Sequence, residues 1–526
     1  MSLSRDLLRP EAYPRPNPGR VELRETHVSW VFLTEGDVYK VKKPVRFAFL
    51  DFSTLEARRR ACESEVVLNE RLAAGTYLGV VPVRLDGEGR HHFGPEGEVV
   101  DWAVHMLRLP DAFRADERLR DGCLTPEHVD AMALAISDFH ARARADATTA
   151  LAGALASIEE NVCENFAEAD PWGDDFLTRD EAEEIERWQL DFLRTRAAVF
   201  ERRRTEGRIR DGHGDLRLDH FYLGDDGELT IVDCIEFDDR FRHGDVCSDI
   251  AFLSMDLAAH GRVDLAERLL ARYAQAADDY ELYALVDFYE SYRAFVRGKI
   301  SSITARHAAG AARESARADA RRHFTLALSA GRRSVLSPVV VAVGGVIASG
   351  KSTVAEAIGG RLSAPIVDAD RTRKYLLGMR HTMHDASGAF EGPYSQAMTD
   401  RVYAEFLHRA SIVLESGRPV VLDASFRSEE MRRAARDLAA EHGVPFLMIE
   451  CRVPPEVARA RLLERERMTH VSDGRLEILD AFMARMEPIS ELSAAEHLAV
   501  DTARPLAETI RVVERRLQTW PRGLCA

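Results

Sequence analysis

The clearest chemistry in this 526-residue chain lies in one short run toward its C-terminus, Gly345-Val346-Ile347-Ala348-Ser349-Gly350-Lys351-Ser352. Two glycines enclose four residues, and a lysine and a hydroxyl follow. Glycine lets successive backbone N–H groups curl round an anion, and a helix N-terminus adds a favourable dipole. Lys351 is placed to reach the β- and γ-phosphates of a nucleoside triphosphate, and Ser352 to hold Mg²⁺. Val339–Val343 reads as a strand before the run, and KSTVAEAIGGRL reads as a helix after it, which is the context this motif requires. Gly345, Ala348, Ser349, Gly350, Lys351, Ser352 and Thr353 are therefore the expected ATP-binding residues. A glycine turn before a helix is the plain structural alternative.

Three later stretches extend the pattern: IVDADRTRK from Ile366, VVLDAS from Val420, and ARARLLERERMTH from Ala458. With the loop, they make residues 339–526 resemble the small P-loop kinases grouped with polynucleotide kinase, gluconate kinase and zeta toxin. The resemblance implies that Asp370 acts as general base toward an acceptor hydroxyl. As a residue following a strand, Asp370 could equally cap a helix. The resemblance also implies that Arg371 and Arg373 hold substrate and that Asp423, ending the third strand, supports the metal. Arg461, Arg465 and Arg467 match the arginine-rich lid that touches phosphates, although a basic helix face can also be merely solvated.

A second constellation begins with His213-Gly214-Asp215-Leu216-Arg217. Asp233 follows eighteen residues after Asp215, and GDVCSDIAF adds Gly244, Asp245 and Asp249. Upstream, alternation in Val38-Tyr39-Lys40-Val41-Lys42 puts both lysines on one face, and CESEVVLNERL contains Glu65. This spacing resembles the aminoglycoside phosphotransferase and choline kinase family, whose fold is protein-kinase-like, over roughly residues 20–330. The resemblance implies that Asp215 is the catalytic base and that Asp233 binds Mg²⁺. Lys40, which fits the family spacing better than Lys42, would meet the ATP phosphates, with Glu65 holding it. Asp245 and Asp249 would brace the loop. His220 stands where the family has a metal-binding Asn, and imidazole is a softer ligand than Mg²⁺ prefers. The N-terminal site then either holds its metal through Asp233 and His220 or is a degraded kinase.

The elements that must position these residues follow from the periodicity. Short strand-like runs, among them Trp30–Leu33 and Val38–Lys42, dominate residues 21–107, with a charged helix from Thr54 to Ala73 between them. Residues 126–332 are mostly helical, apart from a polar island at Asp211–Asp239 whose two strand-like runs flank Gly224-Asp225-Asp226-Gly227. After Ser337-Pro338, short apolar runs alternate with helices, the mark of a parallel sheet. The expected architecture is an N-terminal surface arm (1–20), an α+β protein-kinase-like domain (21–331), a linker (332–338) and an α/β P-loop domain with a mostly parallel sheet (339–526). A net charge of -16 argues against general nucleic-acid binding without excluding a local site for a nucleic-acid end. Seven scattered cysteines with no CxxC pair fit neither a zinc site nor a disulfide framework. With no signal-like or membrane-spanning run, the chain reads as cytoplasmic.

These features lead to an expectation of an ATP- and Mg²⁺-dependent phosphotransferase with two nucleotide sites and a small hydroxyl-bearing acceptor, such as a sugar or an aminoglycoside-like compound. The alternative is an N-terminal pseudokinase that regulates a P-loop kinase or ATPase acting on a nucleic-acid end or a nucleotide sugar.

Overall fold

Alternating apolar residues build the first sheet and determine which way its lysines point. In the computed structural model, which describes residues 2–14, 19–47, 50–167, 176–330, 337–379, 392–465 and 476–518, six strands pair antiparallel. Their order is Glu22–Glu25, Ser29–Leu33, Asp37–Lys42, Glu98–Leu107, Tyr77–Leu85, His91–His92. Lys40 lies mid-sheet, opposite Val31 on one side and Val104 on the other. Its neighbours Tyr39 and Val41 face the opposite way, into a core with Phe32, Val83 and Phe93. The helix Leu55–Asn69 starts where the Thr54 hydroxyl accepts from Ala57 N at 3.1 Å. Its Cys62 packs with Tyr77 and Val104, which brings Glu65 to the lysine face.

Residues 2–14 differ from the expected surface arm. Leu7, Ala12 and Tyr13 are buried in the same core as Tyr39 and Phe93. Phe93 N donates to Ala12 O at 2.7 Å, and the Tyr13 hydroxyl donates to Leu7 O at 2.6 Å. Three apolar side chains in so short a segment bury enough surface to hold it down.

The chain divides into two compact units, Met1–Gly261 with Tyr289–Leu328, and Arg262–Phe288 with Ser329–Ala526. The segment Arg262–Phe288, expected in the first domain, thus belongs with the P-loop region. Its polar anchors explain this. The Tyr280 hydroxyl donates to Ile366 O at 2.5 Å, Arg418 pairs with Glu267 at 2.7 Å and with Asp287 at 3.0 Å, and Arg409 pairs with Asp278 at 2.7 Å.

In the second unit five parallel strands lie in the order Ile366–Asp368, Val420–Asp423, Val340–Gly345, Phe446–Arg452, His497–Asp501. Every residue of Val340–Gly345 is buried, the continuous apolar run expected of a strand covered on both faces. The register sets Asp368 beside Asp423 and Asp423 beside Val343, so two carboxylates end neighbouring strands next to the phosphate-binding loop. Ligands of open parallel sheets bind at these carboxyl ends, where strand order reverses. No helix among the described residues is long and apolar enough to cross a membrane.

One buried ion pair supports the first unit below its chemistry. Arg203, fully buried, grips Asp245 with two bonds of 2.8 and 2.7 Å, and Asp245 also caps the helix Val246–Ala259 through Cys247 N at 2.8 Å. Arg203→Met is expected to destabilise this unit by about 3–5 kcal/mol, because it leaves a buried carboxylate uncompensated. A urea titration of the full chain followed by far-UV circular dichroism checks this. An unshifted first transition would show that water or another cation takes over the carboxylate.

Candidate active sites

The P-loop is shaped by two residues in the left-handed region, Ala348 at φ +59° and Gly350 at φ +82°. Such an alternation turns backbone amides toward one concave side. Gly350 has little alternative to glycine, since an added Cβ would meet Arg461 Nη1 at 3.3 Å on a backbone already left-handed. Two side chains hold the loop carbonyls. Arg461 donates to Ala348 O at 3.3 Å and to Thr502 O at 2.5 Å, and the Thr502 hydroxyl donates to Ser349 O at 2.5 Å. The resemblance assigns Arg461 to nucleotide phosphates. The structure gives it to the loop backbone instead, because the helix Pro455–Arg465 runs beside the loop and Arg461 lies on its near face. The side chain of Arg465 and all of Arg467 lie outside the described residues. Thr502, 153 residues beyond Ser349 in sequence, carries no local signal that links it to the loop.

Lys351, Ser352 and Thr353 open the helix Lys351–Leu362. The Lys351 ammonium and the Ser352 hydroxyl both favour the ionised Asp423 carboxylate. Asp423 is buried, and its Oδ1 has no hydrogen-bond partner. A buried, orphaned carboxylate oxygen is costly unless something fills its place. Beside a serine hydroxyl, that place suits a hard divalent cation, so Ser352 and Asp423 fit Mg²⁺.

Burial and then the neighbouring Asp370 raise the Asp423 pKa, against the pull of Lys351 and Ser352. Asp368 is raised further, by burial and then by Asp423 and Asp370. Three carboxylates therefore crowd the end of the sheet. Asp368, which sequence reasoning did not single out, is the helix cap: its Oδ1 accepts from Arg371 N at 2.7 Å at the start of Ala369–Leu376. Asp370 is thereby relieved of the capping role and sits in the first helical turn. Its signal was present as the second acid of Asp368-Ala369-Asp370, since an acid ending a strand commonly caps the helix that follows.

The two arginines after Asp370 part company. Arg371 Nη1 donates to Gln275 O at 3.3 Å, which turns it to the segment Arg262–Phe288 rather than toward an acceptor. Arg373 turns the other way, donating to Pro393 O at 2.6 Å with its guanidinium over the Tyr394 ring at 4.5 Å.

In the first unit the lysine face carries a network of five charged groups. Lys40 Nζ lies 2.9 Å from Glu65 Oε1 and 2.5 Å from Asp233 Oδ1. Lys42 bonds to the other oxygen of Glu65 and to Glu236. Glu65 is thus shared by both lysines, and Glu236, three residues beyond Asp233, joins a set that the sequence had limited to four. Lys40 and then Lys42 hold the Glu65 carboxyl below its ordinary range against burial.

Asp233 occupies the left-handed region at φ +67°, an unfavourable conformation for a non-glycine residue of the kind found at functional sites. Its N–H donates to the Tyr77 hydroxyl at 3.2 Å, and Cys234 N donates to Asn69 Oδ1 at 2.9 Å. Burial opposes ionisation of Asp233, but Lys40 first and His220 next hold its carboxyl far below the usual range.

The loop His213–Asp215 is braced by Asp249, which accepts from His213 N at 2.7 Å and Gly214 N at 2.9 Å. Gly214 is left-handed at φ +87°, and a Cβ there would lie 2.7 Å from Phe241 O. Burial pushes the His213 imidazole down to about 4, so it is neutral where Nε2 meets Val232 O at 3.0 Å. Burial works against ionising Asp215 too, yet Arg217, with His220 and Arg297 behind it, holds its carboxyl down at about 2. Such a group stays ionised and is a weak proton acceptor.

His220 Nδ1 lies 2.8 Å from Asp215 O, so Nδ1 carries the proton and Nε2 the lone pair. That lone pair meets Arg217 Nη2 at 3.0 Å and faces Asp233 Oδ2 at 3.5 Å. Among the described residues no three His, Cys, Asp or Glu side chains form a ready metal cage. Mg²⁺ needs none, since it takes one or two carboxylates and completes its shell with phosphate and water. Asp233 fits that demand, with His220 as a weaker neighbour.

The parallel sheet, the left-handed loop and the carboxylates ending adjacent strands define the second unit as a P-loop nucleotide-binding domain, and residues 340–489 match the AAA domain family. Over nearly its whole length the chain is similar to uncharacterized protein Rv2004c of Mycobacterium tuberculosis, with 34% identity over 475 residues, 90% of this chain and 92% of that protein. The chain belongs to the same family as that mycobacterial protein. Among solved structures it is similar to a putative kinase from Chloroflexus aurantiacus, with 21% identity, 35% of this chain, 100% of that chain and a TM-score of 0.27. It is also similar to an ethanolamine kinase from Plasmodium vivax, with 11% identity, 59% of this chain, 83% of that chain and a TM-score of 0.36.

Proposed function

We propose that the chain is an ATP-dependent phosphotransferase whose P-loop unit transfers the γ-phosphoryl group to the hydroxyl of a small acceptor. The observation that carries this reading is the buried, orphaned Asp423 Oδ1 beside Ser352 and Lys351, at the mouth of a loop whose backbone is already curled. When bound, Mg²⁺ supplies neutralisation of phosphate charge during transfer. The loop amides and Lys351 hold the triphosphate, while Ser352 and Asp423 hold the cation. Asp370 receives the acceptor proton as the acceptor oxygen bonds to the γ-phosphorus and the bond to the β,γ-bridging oxygen breaks, releasing ADP. In the first unit, which we read as an aminoglycoside phosphotransferase-like kinase domain, Lys40 and Glu65 serve the ATP phosphates, Asp233 the cation and Asp215 the acceptor hydroxyl.

A second reading draws on one contact. The Lys40 ammonium sits directly on Asp233, the carboxylate that would hold the cation. If nucleotide does not displace it, the first unit acts as a pseudokinase that regulates the P-loop unit.

The test of the main reading is Asp370→Asn in the full chain. ATP affinity should stay within about twofold of wild type, while transfer to the true acceptor falls by roughly a hundredfold or more, the scale of a lost general base. Acceptors are found by screening sugars, aminoglycosides, nucleosides and RNA ends with radiolabelled ATP. Unchanged transfer would place the base elsewhere.

A further inference from the structure

We infer that the acceptor of the first unit carries an oxyanion, a carboxylate or a phosphate, besides its reacting hydroxyl, and that Arg297 binds this oxyanion while Asp215 faces the hydroxyl. This rests on the reading of that unit as a kinase and adds to it the charge of the substrate. Arg297 lies on the helix Val286–His307, within the stretch Tyr289–Leu328 that belongs to the first unit. Its neighbours Ala294 and Phe295 are buried, and the Phe295 ring meets that of Phe324, on the helix Gly310–Ser329, at 5.5 Å between centroids. Gly298 permits this approach, since a Cβ there would lie 2.6 Å from the Phe324 ring. Helices packed so closely fix the backbone from which Arg297 projects.

The acids near Arg297 already have partners. Arg217 Nε donates to Asp215 Oδ2 at 3.2 Å, and its Nη2 lies 3.1 Å from Asp219 Oδ2. Asp256 Oδ2 accepts from Leu218 N at 2.9 Å. Arg297 acts on these three carboxylates through space, and among the described residues it makes no hydrogen bond or ion pair. Burial lowers its guanidinium, and the like charge of Arg217 lowers it further, against Asp215, Asp256 and Asp219. A half-buried cation with no bonded partner is costly, and a carboxylate or phosphate supplies the paired acceptors that its planar fork matches.

His323 makes a second, independent case for a ligand here. It is 7% exposed, its Nδ1 lies 2.7 Å from Asp319 O and so carries the proton, and its Nε2 has no hydrogen-bond partner. Burial lowers this imidazole, and both Arg297 and Asp256 act on it. A buried lone pair within electrostatic reach of an unpaired guanidinium suits a molecule that brings hydroxyls together with a negative charge. The phosphates of ATP are served elsewhere in the unit. The strongest charges acting on Lys40 and on Asp233 do not include Arg297, which groups with Asp215 and the acceptor instead. A polycation such as an aminoglycoside is repelled by an unpaired guanidinium in that place.

The test uses the full chain carrying Lys351→Ala, so that the first unit reports, saturated with AMPPNP and Mg²⁺ and titrated calorimetrically with inorganic phosphate. Phosphate is expected to bind, and Arg297→Gln to weaken that binding by at least about tenfold, with Arg297→Lys in between. Transfer from ATP is then compared for ribose against ribose 5-phosphate, glucose against gluconate, and kanamycin. The charged member of one pair should be preferred by at least about tenfold in kcat/KM, and which pair responds distinguishes phosphate from carboxylate. Arg297→Gln should remove that preference through KM rather than kcat. Where none of these compounds is phosphorylated, phosphate binding decides by itself. Should Arg297→Gln fail to fold, Arg297→Lys, which keeps the charge and loses the fork, is the deciding variant. The inference is overturned if phosphate does not bind, if the folded variants bind it as tightly as the parent chain, or if Arg297→Gln weakens AMPPNP in place of phosphate. It is equally overturned if kanamycin or the neutral sugars are the better acceptors. Absence of AMPPNP binding to the Lys351→Ala chain would instead overturn the kinase reading of the first unit.

Discussion

Lys351→Ala should lower ATP affinity at the P-loop by at least about a hundredfold, equivalent to roughly 3 kcal/mol, and abolish turnover there. The lysine is the one cation that opens the helix after a loop whose carbonyls are held back by Arg461 and Thr502. Removing it deletes charge-assisted contacts to phosphates that otherwise repel one another. It also leaves Asp423 without the ammonium that draws its carboxyl toward ionisation, so Mg²⁺ and nucleotide should lose affinity together. The measurement is a titration with a fluorescent ATP analogue in full chains carrying Asp233→Ala, so that only the P-loop reports. Lys351→Arg should recover part of the affinity but little turnover, because a planar fork does not reproduce a point charge. A folded Lys351→Ala protein with wild-type affinity and turnover would remove the assignment.

The reverse experiment, in a Lys351→Ala background, isolates the first unit. Asp233→Ala should cut its phosphoryl transfer by about a hundredfold or more, the scale set by loss of a single electrostatic stabiliser. Two effects combine at this residue. Asp233 is the hard oxygen ligand that Mg²⁺ prefers, and its carboxylate also restrains Lys40 at 2.5 Å. His220→Ala should be mild, and His220→Asn should be tolerated or should lower the Mg²⁺ concentration needed for half-maximal transfer. Collapse of activity in His220→Asn would give the histidine a role of its own. The imidazole has two such roles open to it, since Nδ1 holds Asp215 O and Nε2 holds Arg217. Absence of nucleotide binding in the Lys351→Ala chain would instead favour the pseudokinase reading.

Local spacing determined a large part of this protein. The P-loop string, its flanking strand and helix, and the five apolar runs of the parallel sheet could be read directly, because each depends on residues near one another in sequence. The alternation that puts Lys40 and Lys42 on one face, and the spacing from His213 to Asp249, were legible for the same reason.

What only the tertiary structure decided is how charges far apart in sequence are paired. Arg461 looked free for phosphates and is taken by Ala348 and Thr502. Arg371 looked like a substrate ligand and is drawn to Gln275, in a segment whose anchors place it with the P-loop unit. Glu236, which no local spacing singles out, completes the buried lysine network. Asp368, not Asp370, takes the cap of the helix Ala369–Leu376. In each case the side chain has several partners compatible with its chemistry. Burial makes an unpaired charge too costly, so packing, rather than spacing along the chain, selects among them.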